Sequence, residues 1–233
     1  LMFGGAVPAF AGLVSEDIDI RGNLFSKPLR WKQGDPTYNG DDWTIKNILE
    51  LRNARRVLIE GNVLQNSWVD SQSGFGVVFS AGGFPEATVQ DVVFQYNKLI
   101  NTDNGINIAA NNEPGANRQT QRILIQHNLL HRVAGGGNSR LFQILNGASG
   151  GVDRLFLRHN TATSTDSIFL SFGDTLNLKH TNFIFIDNIT ANGLYGIQGT
   201  NTTRGIDSLL AYTDSDFRNN VISDVVGSGV DPA

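Results

Sequence analysis

The sequence predicts a right-handed parallel β-helix, an all-β solenoid of extended strands wound around a narrow apolar core. A short motif ending in asparagine returns along the chain, and its copies lie about thirty residues apart, a period typical of stacked repeats. The composition agrees, because 26 glycines among 233 residues and a single methionine favour turns and strands over helices. We therefore predict one domain over residues 1–233, with about six to seven coils, as a fragment of a longer solenoid or as a unit.

The repeated motif alternates apolar residues and then reaches asparagine. Its copies are IDIRGN, VLIEGN, VVFQYN, ILIQHN, LFLRHN, FIFIDN and a degraded DFRNN, which end at Asn23, Asn62, Asn97, Asn128, Asn160, Asn188 and Asn220. The differences between these numbers are 39, 35, 31, 32, 28 and 32. Asparagine tolerates left-handed backbone angles at a bend, and its amide both donates and accepts hydrogen bonds. We expect these residues to form a structural ladder rather than a catalytic set.

A second extended segment in each repeat predicts a coil of several strands. These segments cover residues 46–51, 76–81, 105–110, 141–147, 167–172 and 195–200. The KNILELRNARR stretch (46–56) fits either a helix or strand, bend and strand, and the VLIEGN that follows favours the second interpretation.

Alternation in the first strand of each repeat predicts its two faces. The inward column comprises Ile20, Ile59, Phe94, Ile125, Leu157 and Phe185. The opposite row comprises Asp19, Leu58, Val93, Leu124, Phe156 and Ile184, and it is largely apolar although nominally outward. Three explanations are open: the chain's own loops cover this row, the inward and outward faces are exchanged in places, or the row contacts a second copy or further solenoid coils.

Charge and composition exclude several classes of function. A formal net charge of -4 with scattered Lys and Arg excludes a nucleic-acid phosphate backbone as partner. No apolar run approaches the roughly 20 residues that cross a bilayer, so we predict no membrane partner. The absence of cysteine removes thiol catalysis and disulfides. We interpret the opening LMFGGAVPAFAG as folded sequence rather than a secretory leader.

Turn-rich stretches at 32–43, 83–87, 111–119 and 134–139 predict loops that leave the coils at comparable places. Such loops would form the walls of a groove beside the second strand row, where binding sites of repeat scaffolds lie. We expect a polysaccharide to lie in this groove.

Two kinds of polysaccharide chemistry fit the residues near this groove. Hydrolysis needs two carboxylates on opposite sides of the bond, and stacking at about 4.8 Å per coil would place Asp70 one coil from Asp103 and Asp103 two coils from Asp166. Elimination from a uronate needs a base and a cation, for which His131, Arg132 and Arg140 are candidates. Calcium as a cofactor is compatible with this chemistry but has no loop motif here. The alternative for each aspartate is that it caps backbone amides in a turn.

Binding without turnover is a second class of function. Outward amides on the second strand row, Asn107, Gln143 and Gln198, with Phe169 between them, suit sugar hydroxyls and the apolar face of a sugar. Trp68, in the turn after Asn62, is a further candidate for substrate binding. A structural or adhesion module is the third class, which the regular repeats favour. Whether the protein is an enzyme stays open at this point.

Several stretches resemble a known family. These stretches are FGGAVPAF, DIDIRGNLFSKPLRW, the run from WTIKNILEL to SQSGF, QDVVFQYNKLI, RILIQHNLL and RLFQILNG. They resemble bacterial right-handed β-helix repeat proteins of the pectate-lyase-like superfamily, in a group with no assigned reaction. The resemblance implies a secreted or cell-surface protein and further coils ahead of FGGAVP. Where relatives have an arginine-bearing loop after the strand equivalent to GVVFSA, this chain has GGFPEA. NTDNG (101–105) resembles the NTDG motif of polygalacturonase-type hydrolases, but an Asn is inserted and the partner motifs of that family are missing.

Overall fold

The computed structural model describes residues 1–135, 138–164, 167–173 and 178–223. Its strands form three parallel sheets with seven described strands each, which we name sheets A, B and C. Sheet A contains β1 (Met2–Phe3), β4 (Leu49–Leu51), β7 (Phe75–Ser80), β10 (Asn104–Ala109), β13 (Arg140–Leu145), β16 (Ile168–Gly173) and β19 (Gly196–Gly199). Sheet A corresponds to the second extended segment of each repeat.

Sheets B and C follow sheet A in every coil. Sheet B contains β2 (Ser15–Arg21), β5 (Ala54–Glu60), β8 (Val89–Gln95), β11 (Gln121–Gln126), β14 (Asp153–Arg158), β17 (His180–Ile186) and β20 (Thr213–Arg218). Sheet C contains β3 (Leu24–Ser26), β6 (Val63–Ser67), β9 (Lys98–Thr102), β12 (Leu129–Val133), β15 (Thr161–Ser164), β18 (Ile189–Ala191) and β21 (Val221–Ser223). Neighbours within a sheet come from successive coils, so the predicted parallel β-helix is confirmed.

Helical structure is confined to two short pieces of the described chain. A 3₁₀ turn covers Leu29–Trp31, and α1 (Ile206–Tyr212) lies between β19 and β20. The α1 helix was not predicted, because seven residues are too few to display a helical period. Among the described residues, no helix combines the length and apolar character that crossing a membrane requires.

The repeated asparagines form the predicted ladder from Asn23 to Asn220. At each step the backbone N–H and the side-chain Nδ2 of one asparagine donate to Oδ1 of the next, as in the Asn97 N–H to Asn128 Oδ1 bond of 2.9 Å. Each Nδ2 from Asn62 onward also donates to a carbonyl of the preceding coil, for example Asn128 to Phe94 O at 2.9 Å. The ladder therefore fixes the bend between sheets B and C in all seven coils.

The inward column of sheet B is buried as predicted. Phe185 lies near the C-terminal end of this column, with ring centroids of Phe142, Phe169 and Phe217 at 6.3, 6.0 and 5.1 Å. These rings fill the inside of the later coils.

The outward apolar row of sheet B is in register from Asp19 to Ile184, as predicted, and continues to Asp216. Its apolar members are half-buried. Hydrogen-bonded side chains flank the row, including the chain of bonds from Arg158 through Gln126 and Gln95. These neighbours cover part of the apolar surface, and contact with a second copy or with further coils stays a prediction.

Candidate functional site

The outer face of sheet A presents a straight column of uncharged hydrogen-bonding side chains. Backbone register pairs Asn107 with Gln143, Gln143 with Ser171, and Ser171 with Gln198. Adjacent strands lie about 4.8 Å apart, so the column has one polar residue in each of these four coils; Asn107, Gln143 and Gln198 are half-buried, and Ser171 is 6% exposed. The three predicted amides therefore share one face, and we call this set the amide column.

The outward placement of Phe169 was wrong. Phe169 is 1% exposed and packs in the core against Phe185, and Ser171 occupies the outward position. The physical reason is an interruption of strict alternation near the start of the strand, since Phe169 and the following Leu170 both belong to the buried core. Phe169 therefore offers no aromatic surface to a ligand in the groove.

A depression lies at the carboxyl-terminal ends of β7, β10 and β13, beside Asn107. Its floor and wall include Arg52, Ser80, Glu113 and Asn146, and we call it the Arg52 depression. The Arg52 guanidinium contacts Glu50 at 3.7 Å and donates to Ser80 Oγ at 3.3 Å.

Gly82 and Glu113 complete the wall of the Arg52 depression. A Cβ on Gly82 would lie 2.5 Å from Arg52 Nη2, so a larger residue at this position would displace the guanidinium. Glu113 Oε1 accepts the Gly83 N–H at 3.0 Å. Sequence reasoning missed this depression, although Arg52 could have been found by aligning the ends of the second strand row, where it lies opposite Ser80.

A second depression lies at the opposite, amino-terminal end of the sheet A strands, where sheet C turns into sheet A. It is lined by Leu29, Lys32, Asn66, Ser67, Trp68, Asn101, Asp103, Arg132 and Ala134, and we call it the corner depression. It brings together Trp68, Asp103 and Arg132, three of the candidate residues named from the sequence. Trp68 is only 6% exposed, and Lys32 Nζ lies 5.9 Å from its ring centroid, so the indole contributes an edge rather than an open platform.

The two predicted acidic residues Asp70 and Asp103 both bind backbone amides. Asp103 Oδ2 accepts the Val69 N–H at 2.6 Å, and Asp70 Oδ2 accepts the Ile45 N–H at 2.8 Å. Asp70 is exposed and does not line the corner depression. The bonds from the Ile45 and Ser71 amides hold the pKa of Asp70 below its usual value. The capping interpretation of these aspartates therefore has direct geometric support, and Asp166 lies outside the described residues.

The residues considered for uronate elimination do not converge. His131 lies in β12 of sheet C opposite Ile100, whereas Arg140 begins β13 of sheet A. The Arg140 backbone N–H donates to Asn104 Oδ1 at 2.7 Å, and burial lowers the pKa of its guanidinium. Arg132 lines the corner depression. His131 and Arg140 thus belong to different sheets, whereas Arg132 follows His131 directly in β12.

His127 and His159, each directly before a ladder asparagine, stack on one another. Their ring centroids lie 5.0 Å apart with an interplanar angle of 2°, and Tyr96 continues the stack at 5.1 Å. Within the described ranges, no group of three His, Asp or Glu side chains is placed to hold a metal ion.

Asp70 anchors the loop that carries Leu29 and Lys32 into the corner depression. We expect Asp70→Ala to accelerate hydrogen exchange at the Ile45 amide by about tenfold or more, because the substitution removes the acceptor of a largely buried donor. Hydrogen-exchange NMR or mass spectrometry measures this rate. Asp41→Ala in the same loop is the matched control, since Asp41 bonds only Asn39 among the described contacts. An unchanged Ile45 rate in the Asp70 variant would contradict the anchoring role.

The chain matches no family model, no curated protein and no solved structure.

Proposed function

We propose that this protein binds a polysaccharide along the outer face of sheet A without turning it over. The observation that carries the proposal is the amide column, in which Asn107, Gln143, Ser171 and Gln198 repeat in register beside two depressions. We further propose membership of the pectate-lyase-like superfamily, a bacterial origin and a secreted or cell-surface location, which rest on the sequence resemblance.

The amide column suits a polymer of sugars. A carboxamide donates through its NH₂ and accepts through its oxygen, which matches the mixed donor and acceptor character of a hydroxyl group. The sheet backbone fixes the spacing of these residues, so a ligand has to order only their side-chain torsions on binding. Repetition from coil to coil gives a repeating ligand equivalent contacts along its length.

The state of the carboxylates supports binding rather than hydrolysis. An enzyme that cleaves glycosidic bonds places two carboxyl groups across the scissile bond. Asp70 and Asp103 are instead each committed to a backbone amide, and only Asp103 lines a depression. Their shared role in the described structure is to connect neighbouring coils.

A panel of immobilised neutral and acidic glycans tests the proposal, followed by titration of the best ligand. We expect Gln143→Ala to weaken binding about tenfold, which corresponds to the loss of one to two hydrogen bonds. Gln65→Ala is the matched control, because Gln65 lies on sheet C, where it contacts Ser26. Binding that is equally insensitive to both substitutions would remove the amide column as the site.

Product analysis in the same panel tests the absence of turnover. New reducing ends would indicate hydrolysis, and unsaturated products would indicate elimination. If hydrolysis occurs and Asp103→Asn lowers turnover by a factor of order 10², the non-catalytic part of the proposal is wrong and the carboxylate interpretation of Asp103 is restored.

A further inference from the structure

The charges around the amide column are nearly balanced. Glu50 contacts the Arg52 guanidinium at 3.7 Å, and Glu113 lines the same depression as Arg52. Arg140, at the start of β13, is half-buried, and burial lowers the pKa of its guanidinium. The formal charges of these four residues therefore sum to zero.

We infer that the sheet A groove selects neutral polysaccharides and discriminates against polyuronates, an inference that rests on the proposed function. A polyuronate carries a carboxylate on every sugar. A groove that binds several such sugars must offer a cation at each repeat, or its ligand loses hydration without gaining an ion pair. The amide column offers amides and one hydroxyl at these positions.

The Arg52 depression strengthens this selection at the carboxyl-terminal end of the strands. A carboxylate entering there would approach the one guanidinium only beside Glu50 and Glu113, and like charges at short range oppose binding. A neutral sugar hydroxyl meets no such penalty, because it can donate to a carboxylate and accept from the guanidinium. Lys32 and Arg132 lie in the corner depression, beyond the other end of β10 and away from the column.

Matched pairs of ligands that differ only in charge test the inference. We would titrate the whole protein with β-1,4-glucan, galactan and mannan oligosaccharides and with the C6-oxidised form of each, at fixed salt, once with calcium and once with chelator. We expect the neutral member of any pair that binds to bind at least about tenfold more tightly, in both conditions. Oxidised members that bind equally or more tightly, with or without calcium, would overturn the selection and leave the proposed function standing.

A variant that adds a positive charge to the amide column provides a second test of the inference. Gln143→Lys places a cation in the middle of the column, and we expect the affinity ratio of oxidised to neutral ligand to rise by about tenfold. Thr161→Lys adds the same charge on the exposed surface of sheet C and should leave the ratio unchanged. Equal changes in both variants would show that net charge, rather than the groove, sets the preference and would overturn the inference. Failure of every neutral and oxidised ligand to bind would instead refute the proposed function itself, and the inference with it.

Discussion

Replacing Asn128 with leucine is expected to lower the free energy of unfolding by about 3–6 kcal/mol. Asn128 is 3% exposed; its Oδ1 accepts the Asn97 N–H at 2.9 Å and its Nδ2 donates to Phe94 O at 2.9 Å. Leucine has a similar volume but no polar atoms, so both buried backbone groups lose their partners. Each such loss costs about 1–3 kcal/mol, and the bond to Asn160 Oδ1 is lost in addition.

Equilibrium denaturation with urea measures this effect, and the first residue of the ladder supplies the control. Asn23 is exposed, and its side chain contacts only Arg21 O and Asn62 Oδ1 among the described bonds. We expect Asn23→Leu to cost under about 1 kcal/mol, since water can replace its partners. Similar costs for Asn23→Leu and Asn128→Leu would mean that the ladder contributes no more inside the solenoid than at its end.

The fold followed from the sequence because the same constraint recurs in every coil. A buried amide ladder needs asparagine at each step, and an inward column needs an apolar residue, so positions such as Asn97 and Phe94 carry a repeating signal. Register between coils then follows from counting residues relative to the asparagines. The third strand of each coil carried a weaker signal, because sheet C strands are as short as three residues, too short to display a clear alternation.

Only part of the candidate site could be predicted from the sequence. The amide column was predictable because Asn107 and Gln143 occupy equivalent positions in regular strands. Phe169 was misplaced because two consecutive side chains face the core there, which an alternating pattern does not encode. Asp70 and Arg52 depend on loops whose lengths differ between coils, so their contacts with Ile45 and Gly82 had no periodic signal.

Lowering the pH is expected to reduce the free energy of unfolding by about 3 kcal/mol, because His180 takes up a proton more readily in the unfolded chain than in the folded protein. His180 is fully buried, its Nδ1 accepts the Val152 N–H at 3.0 Å, and its ring centroid lies 5.8 Å from that of Phe172. Burial lowers the pKa of His180 to about 4, whereas an unfolded histidine titrates near 6.5. Between these values the unfolded chain binds more protons than the folded chain. The contribution is therefore complete above about pH 6.5 and is lost progressively as the pH falls toward about 4.

The carboxylates also titrate in acid, so the His180 contribution has to be isolated by substitution. His180→Asn removes the titrating ring, and its Oδ1 takes the place of Nδ1 as acceptor for the Val152 N–H. Comparing urea denaturation at about pH 7.5 and about pH 4.5, we expect the parent protein to lose about 2–3 kcal/mol more stability than the variant, since every other titrating group is common to both. Equal losses would show that His180 accepts a proton in the folded state as readily as in the unfolded chain. Burial between the coils would then not keep the ring neutral.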